Sequence, residues 1–245
     1  MSVICVPYHL DERLPDFEAP IEADETITLL LPEAGHWRRM AVLYDTVADS
    51  VAKLAGEGDR PVVVSGDCTT SLAVVAGLQR AGISPSIVWF DAHGDVHTPQ
   101  STLSGYLGGM PLRLLVGANP EVIADLLGLE PVPERRVTLV DARDLDPPEA
   151  EYLAGAEIVR CQVADVDEPV LPDGPIYLHL DFDVIDGEEL PGLLYPASGG
   201  PSRKKVLKAI RRVLDTGRVV AVGGACTWVP GRGTAALVEP IMTGL

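Results

Sequence analysis

The sequence predicts an α/β protein with a mostly parallel central sheet, and three observations carry that reading. The segments rich in Val, Ile and Leu are short and continuous rather than alternating, which is how strands buried on both faces read. Stretches of helical periodicity separate them, and the two kinds of segment largely alternate, as in a doubly wound sheet. With 245 residues, 47% hydrophobic and 22% charged, the chain has the apolar material for a sizeable core and reads as one domain over residues 1–245.

Taken in order, the apolar run at 2–6 predicts the first strand. Residues 9–33, acidic and proline-bearing, read as a long loop. Helical periodicity at 37–56 is followed by a strand at 61–65, a helix at 70–81 and a strand at 86–91. Residues 98–111, rich in Ser, Thr and Gly, read as a second loop. A helix at 119–127 and a strand at 136–141 come next, then a helix at 148–154 and a short strand at 157–160. The apolar run at 175–181 predicts a further strand, and 186–201, rich in Pro and Gly, a third loop. A helix at 202–215 and a strand at 218–223 complete the pattern. Loops this long in a compact domain are more often functional than idle.

The 36 acidic against 19 basic residues give a formal charge of −17, which repels a phosphate backbone and an anionic membrane surface. Neither nucleic acid nor membrane is expected as a partner. The longest apolar stretch, Val219 to Val229, is short of a membrane span and is broken by Gly223 and Gly224. The first residues lack a basic segment and a cleavage site, so the cytoplasm is the expected location. Cys5, Cys68, Cys161 and Cys226 form no C-x-x-C pair, and each reads by default as a buried small hydrophobe.

The chemistry concentrates at two strand ends. Ile87-Val88-Trp89-Phe90 runs into Asp91-Ala92-His93-Gly94-Asp95, and in an extended chain Asp91, His93 and Asp95 share one face. Carboxylates and an imidazole meeting there suit a divalent metal. The second end is Leu180-Asp181-Phe182-Asp183-Val184-Ile185-Asp186, where Asp181 and Asp183 again share a face after an apolar run in which a bare charge is costly. If the two ends are neighbours in the sheet, four carboxylates and a histidine converge, enough for two metals. The plainer alternatives are a solvated acidic turn at 91–95 and helix N-caps at Asp181 or Asp183.

These motifs, with Thr98-Pro99 and Ser104-Gly105 after the first and Pro191-Gly192 after the second, resemble the ureohydrolase signatures shared by arginase, agmatinase and formimidoylglutamase. Ser65-Gly66-Asp67-Cys68-Thr69 resembles the family's Gly-Gly-Asp-His-Ser segment. The resemblance runs in order from about residue 62 to 230. It implies a three-layer arginase-like fold, two divalent metals with Mn2+ foremost, and hydrolysis of a C–N bond in a small guanidino or amidino amino acid. Carried over by position, one metal takes Cys68, Asp91, Asp95 and Asp181, and the other Asp91, His93, Asp181 and Asp183. A hydroxide bridging the metals would attack the trigonal carbon while Asp95 accepts its hydrogen bond, which makes Asp91, Asp95 and Asp181 candidate catalytic residues.

Further similarity to arginase lies in Arg143-Asp144-Leu145-Asp146-Pro147. It implies that Asp146 reads the substrate's α-amino group, that Thr102 and Ser104 touch the α-carboxylate, and that His97 stands where arginase has Asn. Capping of the helix after Pro147 is the alternative for Asp144 and Asp146.

Four positions depart from the family pattern. Cys68 replaces a metal-binding His, a softer ligand that shifts preference toward zinc or iron. That feature, with Gly105-Tyr106-Leu107-Gly108-Gly109-Met110, is similar to the Nω-hydroxy-L-arginine amidinohydrolase of D-cycloserine biosynthesis. Gly108 stands where arginase has a proton-shuttling His, and Tyr106 replaces its substrate-contacting Asn; a leaving group of lower pKa, as in a hydroxyguanidine, needs less help. Thr227 falls where the family has a Glu that pairs with the guanidinium, and a neutral hydroxyl cannot form that bidentate pair. Glu239 reads instead as a solvated helix residue. His179 replaces a small residue and reads as a hydrogen-bonded core histidine.

The leading expectation is therefore a metal-dependent hydrolase of a guanidino or hydroxyguanidino amino acid. A formimino or ureido hydrolase and a degenerate, non-catalytic homologue are the alternatives. Arginases assemble as trimers or hexamers, so a homo-oligomer is an open expectation.

Overall fold

The computed structural model describes residues 1–245. Ten strands occur in chain order: β1 (Ser2–Val6), β2 (Tyr8–His9), β3 (Glu12–Arg13), β4 (Glu25–Thr26), β5 (Pro61–Ser65), β6 (Ser86–Asp91), β7 (Val137–Asp141), β8 (Val159–Cys161), β9 (Ile176–Asp181) and β10 (Val219–Ala225). The helices are α1 (His36–Gly56), α2 (Ser71–Arg80), α3 (Pro111–Leu115), α4 (Ala124–Leu127), α5 (Pro147–Gly155), α6 (Arg203–Asp215) and α7 (Thr234–Met242). Eight strands form one sheet in the order β4-β1-β5-β10-β9-β6-β7-β8, and every pairing in it is parallel. β2 and β3 make a small separate antiparallel pair.

The continuous apolar runs are explained by burial on both faces. In β6, Ile87 and Trp89 join the core beneath α1 to α4, whereas Val88 and Phe90 join the core beneath α6 and α7. The same split holds in β9, with Tyr177 on the first face and Ile176, Leu178 and Leu180 on the second. Three layers result, helices on each side of the sheet. Since side chains alternate along a strand, Asp91 continues the face of Ile87 and Trp89, and His179 and Asp181 continue the face of Tyr177.

Register brings the strand ends level. Ser65 pairs with Ala225, Ala225 with Asp181, and Asp91 with Asp141, while β6 and β9 are direct neighbours through Phe90 and Leu180. The carboxyl edge of the sheet thus carries both acidic motifs side by side. At and just past that edge the chain enters left-handed backbone at Asp95 (φ 53°), Asp141 (φ 81°) and Ala142 (φ 48°), a costly conformation for residues with a Cβ.

Most predicted elements coincide with observed ones to within two residues; the fold differs from the expectation at three points. The helix expected at 119–127 is broken: Asn119 is left-handed at φ 43°, Pro120–Val122 is a 3-10 turn, and only Ala124–Leu127 is α-helical before Gly128 ends it. The short strand expected at 157–160 is within that margin, at Val159–Cys161 on the sheet edge and mostly exposed. The loop at 9–33 contributes the edge strand β4, paired to β1 through Ile4 and Cys5. The helices α3 and α7 were not expected as elements; α7 carries Pro240 inside it, and Glu239 is an exposed residue of it, as expected. No helix is long and apolar enough to cross a membrane.

Candidate metal centre

Asp91 and Asp181 end adjacent parallel strands, and the turns that follow fold Asp183, His93 and Asp95 back over them. The backbone fixes these carboxylates: Asp91 Oδ1 accepts the His93 N–H at 2.7 Å, Asp181 Oδ1 the Asp183 N–H at 2.9 Å, and Asp183 Oδ1 the Ala92 N–H at 3.0 Å. The Trp89 indole donates to Asp91 Oδ2 at 3.1 Å. Cys68 enters from the turn between β5 and α2, its thiol donating to Asp181 Oδ2 at 2.9 Å and lying 3.9 Å from Asp91 Oδ2. His93 Nδ1 lies 2.9 Å from Asp183 Oδ2 and 3.5 Å from Asp91 Oδ1. The two strand ends therefore converge: Cys68, Asp91, His93, Asp95, Asp181 and Asp183 all line one cleft.

The electrostatics are those of too many acids in one place. Burial, then Asp91 and Asp181, push the Asp95 carboxyl well above the usual carboxylate range. Burial and the neighbouring Asp183 and Asp91 do the same to Asp181. Asp183 rises to about 6 through burial and Asp91, although His93 opposes the shift. Burial would raise Asp91 as well, but the hydrogen bond and charge of His93 bring it below the usual range. Burial would lower His93, and its bonds to Asp183 and Asp91 push it up instead. Burial and Asp181 hold the Cys68 thiol well above its ordinary value.

A divalent cation resolves this crowding. Asp95 Oδ2 is buried and has no hydrogen-bond partner, which an anionic oxygen does not tolerate without a cation. Ligand atoms of Asp91, His93 and Asp183 lie within 4.8 Å of one another, an oxygen and nitrogen donor set suited to Mn2+ or Zn2+. The donor chemistry fits the implied metals.

The cleft measures about 290 Å³, and above the acidic floor its walls include His97, Ser104, Tyr106, Asp146, Tyr195 and Thr227. His97 Nε2 lies 3.1 Å from Asp146 Oδ2 and Nδ1 3.3 Å from Ser101 Oγ. Asp146 is also the residue at which α5 begins, so it occupies the capping position and faces the cleft at once. Thr102 does not line the cleft: its Oγ1 accepts the Gly105 N–H at 3.0 Å inside the loop. Ser104 lines it while its Oγ accepts the Tyr106 N–H at 3.2 Å. A Cβ at position 108 would clash with the hydroxyl end of the Tyr106 ring, so Gly108 is what lets that ring line the cleft. Tyr106 Oη bonds His9 Nε2 at 3.2 Å, and His9 Nδ1 bonds the Gly66 carbonyl at 2.9 Å.

Several lining and supporting residues escaped the sequence reading. Glu149 is buried, and its carboxylate accepts the Val96 N–H at 3.2 Å and the Asp146 N–H at 3.1 Å; the Asp146-x-x-Glu149 spacing is a capping-box signal that was there to read. Tyr195, packed at 5.0 Å on Tyr106, is a lone aromatic in a Pro- and Gly-rich loop and gives no such signal. Arg143 braces the floor from below: its guanidinium donates to Asp141 Oδ2 (2.5 Å) and to the carbonyls of Asp183 (3.1 Å), Val184 (3.0 Å), Ala197 (2.9 Å) and Ser198 (3.2 Å). Any side chain at Gly200 would run into it.

A parallel eight-stranded sheet lies between helical layers, and a cluster of Cys, His and Asp side chains gathers at its carboxyl edge. The arginase family profile matches residues 12–223. An arginase of Bacillus subtilis is 30% identical over 233 residues, 87% of this chain and 78% of that protein, and the chain spans 48% and 59% of two longer arginases. The arginase structure from Bacillus caldovelox superposes with a TM-score of 0.83 at 23% identity, covering 98% of this chain and 96% of that one. Formimidoylglutamase from Bacillus subtilis superposes at 0.72 with 15% identity, over 98% and 84%. The chain belongs to the arginase family, whose members are hydrolases of C–N bonds in linear amidines.

Proposed function

We propose that this chain is a single-domain hydrolase that opens a C–N bond in a small guanidino or hydroxyguanidino amino acid. The observation that carries the proposal is the convergence of Asp91, His93 and Asp95 with Asp181, Asp183 and Cys68 on one cleft floor. Two divalent metals, with Mn2+ foremost, would be held by Cys68, Asp91, Asp95 and Asp181 and by Asp91, His93, Asp181 and Asp183. When bound, the metal pair supplies a water made nucleophilic at neutral pH. Asp95, whose Oδ2 lacks any other partner, accepts a hydrogen bond from the attacking water. Asp146, held 3.1 Å from His97, presents negative charge to the substrate's ammonium, and Ser104 offers a hydroxyl near its carboxylate.

Two observations favour a head group less basic than arginine's. Thr227 lines the cleft as a neutral hydroxyl, so no carboxylate fork meets a guanidinium there. Gly108 carries no side chain to serve as proton donor, and the Tyr106 ring fills the space a Cβ there would take, so a leaving group of low pKa such as hydroxyguanidine, which needs the least help, is favoured. A formimino head is the second reading, supported by the neutral Thr227. The proposal extends to a cytoplasmic setting and small-molecule partners, with the charge of −17 opposing nucleic acid and anionic membranes. It extends also to assembly as a homo-oligomer.

The test is metal content per chain on protein purified without chelator, with urea and hydroxyurea release from arginine and Nω-hydroxy-L-arginine measured after manganese loading. Two metals with faster release from the hydroxylated substrate support the proposal. Two metals with release from neither refute the substrate assignment, and one metal or none refutes the binuclear reading.

A further inference from the structure

Beneath the cleft floor lies a histidine that the proposed function does not use. His179 is 2% exposed, in the middle of β9 and on the same face as Asp181. Its ring is stacked on Trp89 with centroids 3.6 Å apart, and Trp89 is its register partner on β6. Nδ1 lies 3.1 Å from Tyr177 Oη, whereas Nε2 is buried with no hydrogen-bond partner. An imidazole nitrogen of His179, the Cys68 sulfur and an Asp91 carboxylate oxygen all lie within 4.8 Å of one another.

This is a built environment rather than a chance proximity. The Tyr177 hydroxyl accommodates the tautomer in which Nδ1–H donates to it and Nε2 presents a lone pair, the arrangement in which a metal-binding histidine is oriented through its second nitrogen. The stacked Trp89 fixes the ring plane, and the Trp89 indole N–H also holds Asp91 Oδ2. One tryptophan therefore positions two of the three donors. Sulfur and imidazole together are a softer set than the carboxylates alone, and such a set selects zinc or cobalt over manganese.

We infer that His179 is a metal ligand, forming with Cys68 and Asp91 a sulfur and imidazole site that takes a zinc-like ion and makes the centre chemically unequal. The inference rests on the reading that Cys68 and Asp91 hold a cation. The second site, with His93 and Asp183, keeps the nitrogen and oxygen set suited to manganese. The ion at Cys68 then bears an imidazole drawn from the sheet interior, in addition to the carboxylates at the strand ends.

The competing occupant of Nε2 is a water. A small void of about 10 Å³ adjoins His179 and Ser71, whose Oγ is also buried without a partner, and that is close to the space one water needs.

X-ray absorption at the zinc edge, on wild-type protein given one equivalent of Zn2+, separates the cases. The expected result is one sulfur at about 2.3 Å and imidazole scattering at about 2.0–2.1 Å on the same ion. Sulfur without imidazole overturns the inference while leaving the binuclear reading intact, and points to water on Nε2. Imidazole without sulfur places the ion with His93 and also overturns it. His179→Asn, with its fold checked by circular dichroism, is expected to lose the imidazole signal, keep the sulfur and weaken zinc binding by on the order of 100-fold. An unchanged spectrum in that variant overturns the inference even if the wild type shows both donors. Absence of any bound zinc or manganese in both proteins refutes the underlying binuclear reading instead.

Discussion

Replacing Arg143 with Ala removes the brace under the acidic floor. The guanidinium is 15% exposed and the Asp141 carboxylate it pairs with is 3% exposed, so the variant leaves a buried charge without its partner, a loss that costs about 3–5 kcal/mol. Four carbonyls, of Asp183, Val184, Ala197 and Ser198, lose their donor as well. Water admitted at the partly exposed end offsets part of that second loss, so about 3–5 kcal/mol stands as the total. Against a domain stability of about 5–15 kcal/mol, this is a large fraction. Arg143→Lys keeps a charge near Asp141 but not the planar fork that reaches both loops, and is expected to lose about half as much. The assay is equilibrium unfolding in urea with chelator present, so that metal binding does not contribute, comparing midpoints at constant slope. Amide exchange in residues 186–201 is expected to accelerate in both variants, because the carbonyls at 197 and 198 are released. A loss below about 1 kcal/mol in Arg143→Ala, or a lysine variant as stable as wild type, would refute the argument.

Other consequences follow from the site. In chelated protein, Asp95, Asp181 and Asp183 hold protons in the fold above the unfolded carboxyl range, so stability falls as pH rises from about 4 through 6. His93, raised in the fold, contributes stability that is also lost as pH rises above its ordinary 6.5. Below pH 6.5 the neutral His179, held down to about 3 by burial, opposes this trend. Thermal melts are therefore expected to show a falling Tm between pH 6.5 and 8 without metal and a flatter profile with it; a metal-free Tm that rises over this range contradicts the assignment. Thr227→Glu is expected to tighten inhibition by arginine-like compounds by roughly 10-fold or more, the scale of a charged hydrogen bond, and no change in inhibition constant removes Thr227 from the site. Gly108→His alone is expected to lower turnover by displacing Tyr106, whereas Tyr106→Asn combined with Gly108→His is expected to raise turnover of arginine relative to that single variant by roughly 100-fold, the lower end of general acid catalysis. Equal rates in the two variants would mean that the ring does not occupy the donor's place.

What the sequence disclosed and what it hid have separate physical causes. The strands at 2–6, 61–65 and 86–91 were legible to the residue because burial on both faces leaves an unbroken apolar run. The acidic ends were legible because charged residues directly after buried apolar runs stand out, but the alternation of an extended chain is not what gathers them. β6 stops at Asp91 and β9 at Asp181, Asp181 caps the 3-10 turn Phe182–Val184, and turns bring His93, Asp95 and Asp183 over the strand ends. Cys68 was legible only by comparison with a family pattern, since a lone cysteine carries no periodic signal. The Tyr106 ring against Gly108, the bond from Tyr106 to His9 and the packing of Tyr195 were not legible, because they depend on how two irregular loops meet in space. Arg143 stood in a recognised motif, yet its bonds to four distant carbonyls are a property of the folded loops. At 119–127 the helical pattern was real but was overridden by the left-handed Asn119 and the break at Ile123. The sequence marks His179 as a core histidine, and its burial agrees, while its unpartnered Nε2 is a property of the folded interior alone.

The position of β10 has a consequence for how the chain acquires its site. This strand comes last in sequence, yet it lies in the middle of the sheet, between β5 and β9. Until residues 219–225 have left the ribosome, the nascent chain can hold only two half-sheets, β4-β1-β5 and β9-β6-β7-β8, each with an open inner edge. Cys68 follows the first half and the aspartates follow the second, so no ion is gripped from both sides before that insertion. The final strand acts as a keystone: metal capture follows synthesis, and the two inner edges are the surfaces most exposed to mispairing while the chain waits for it.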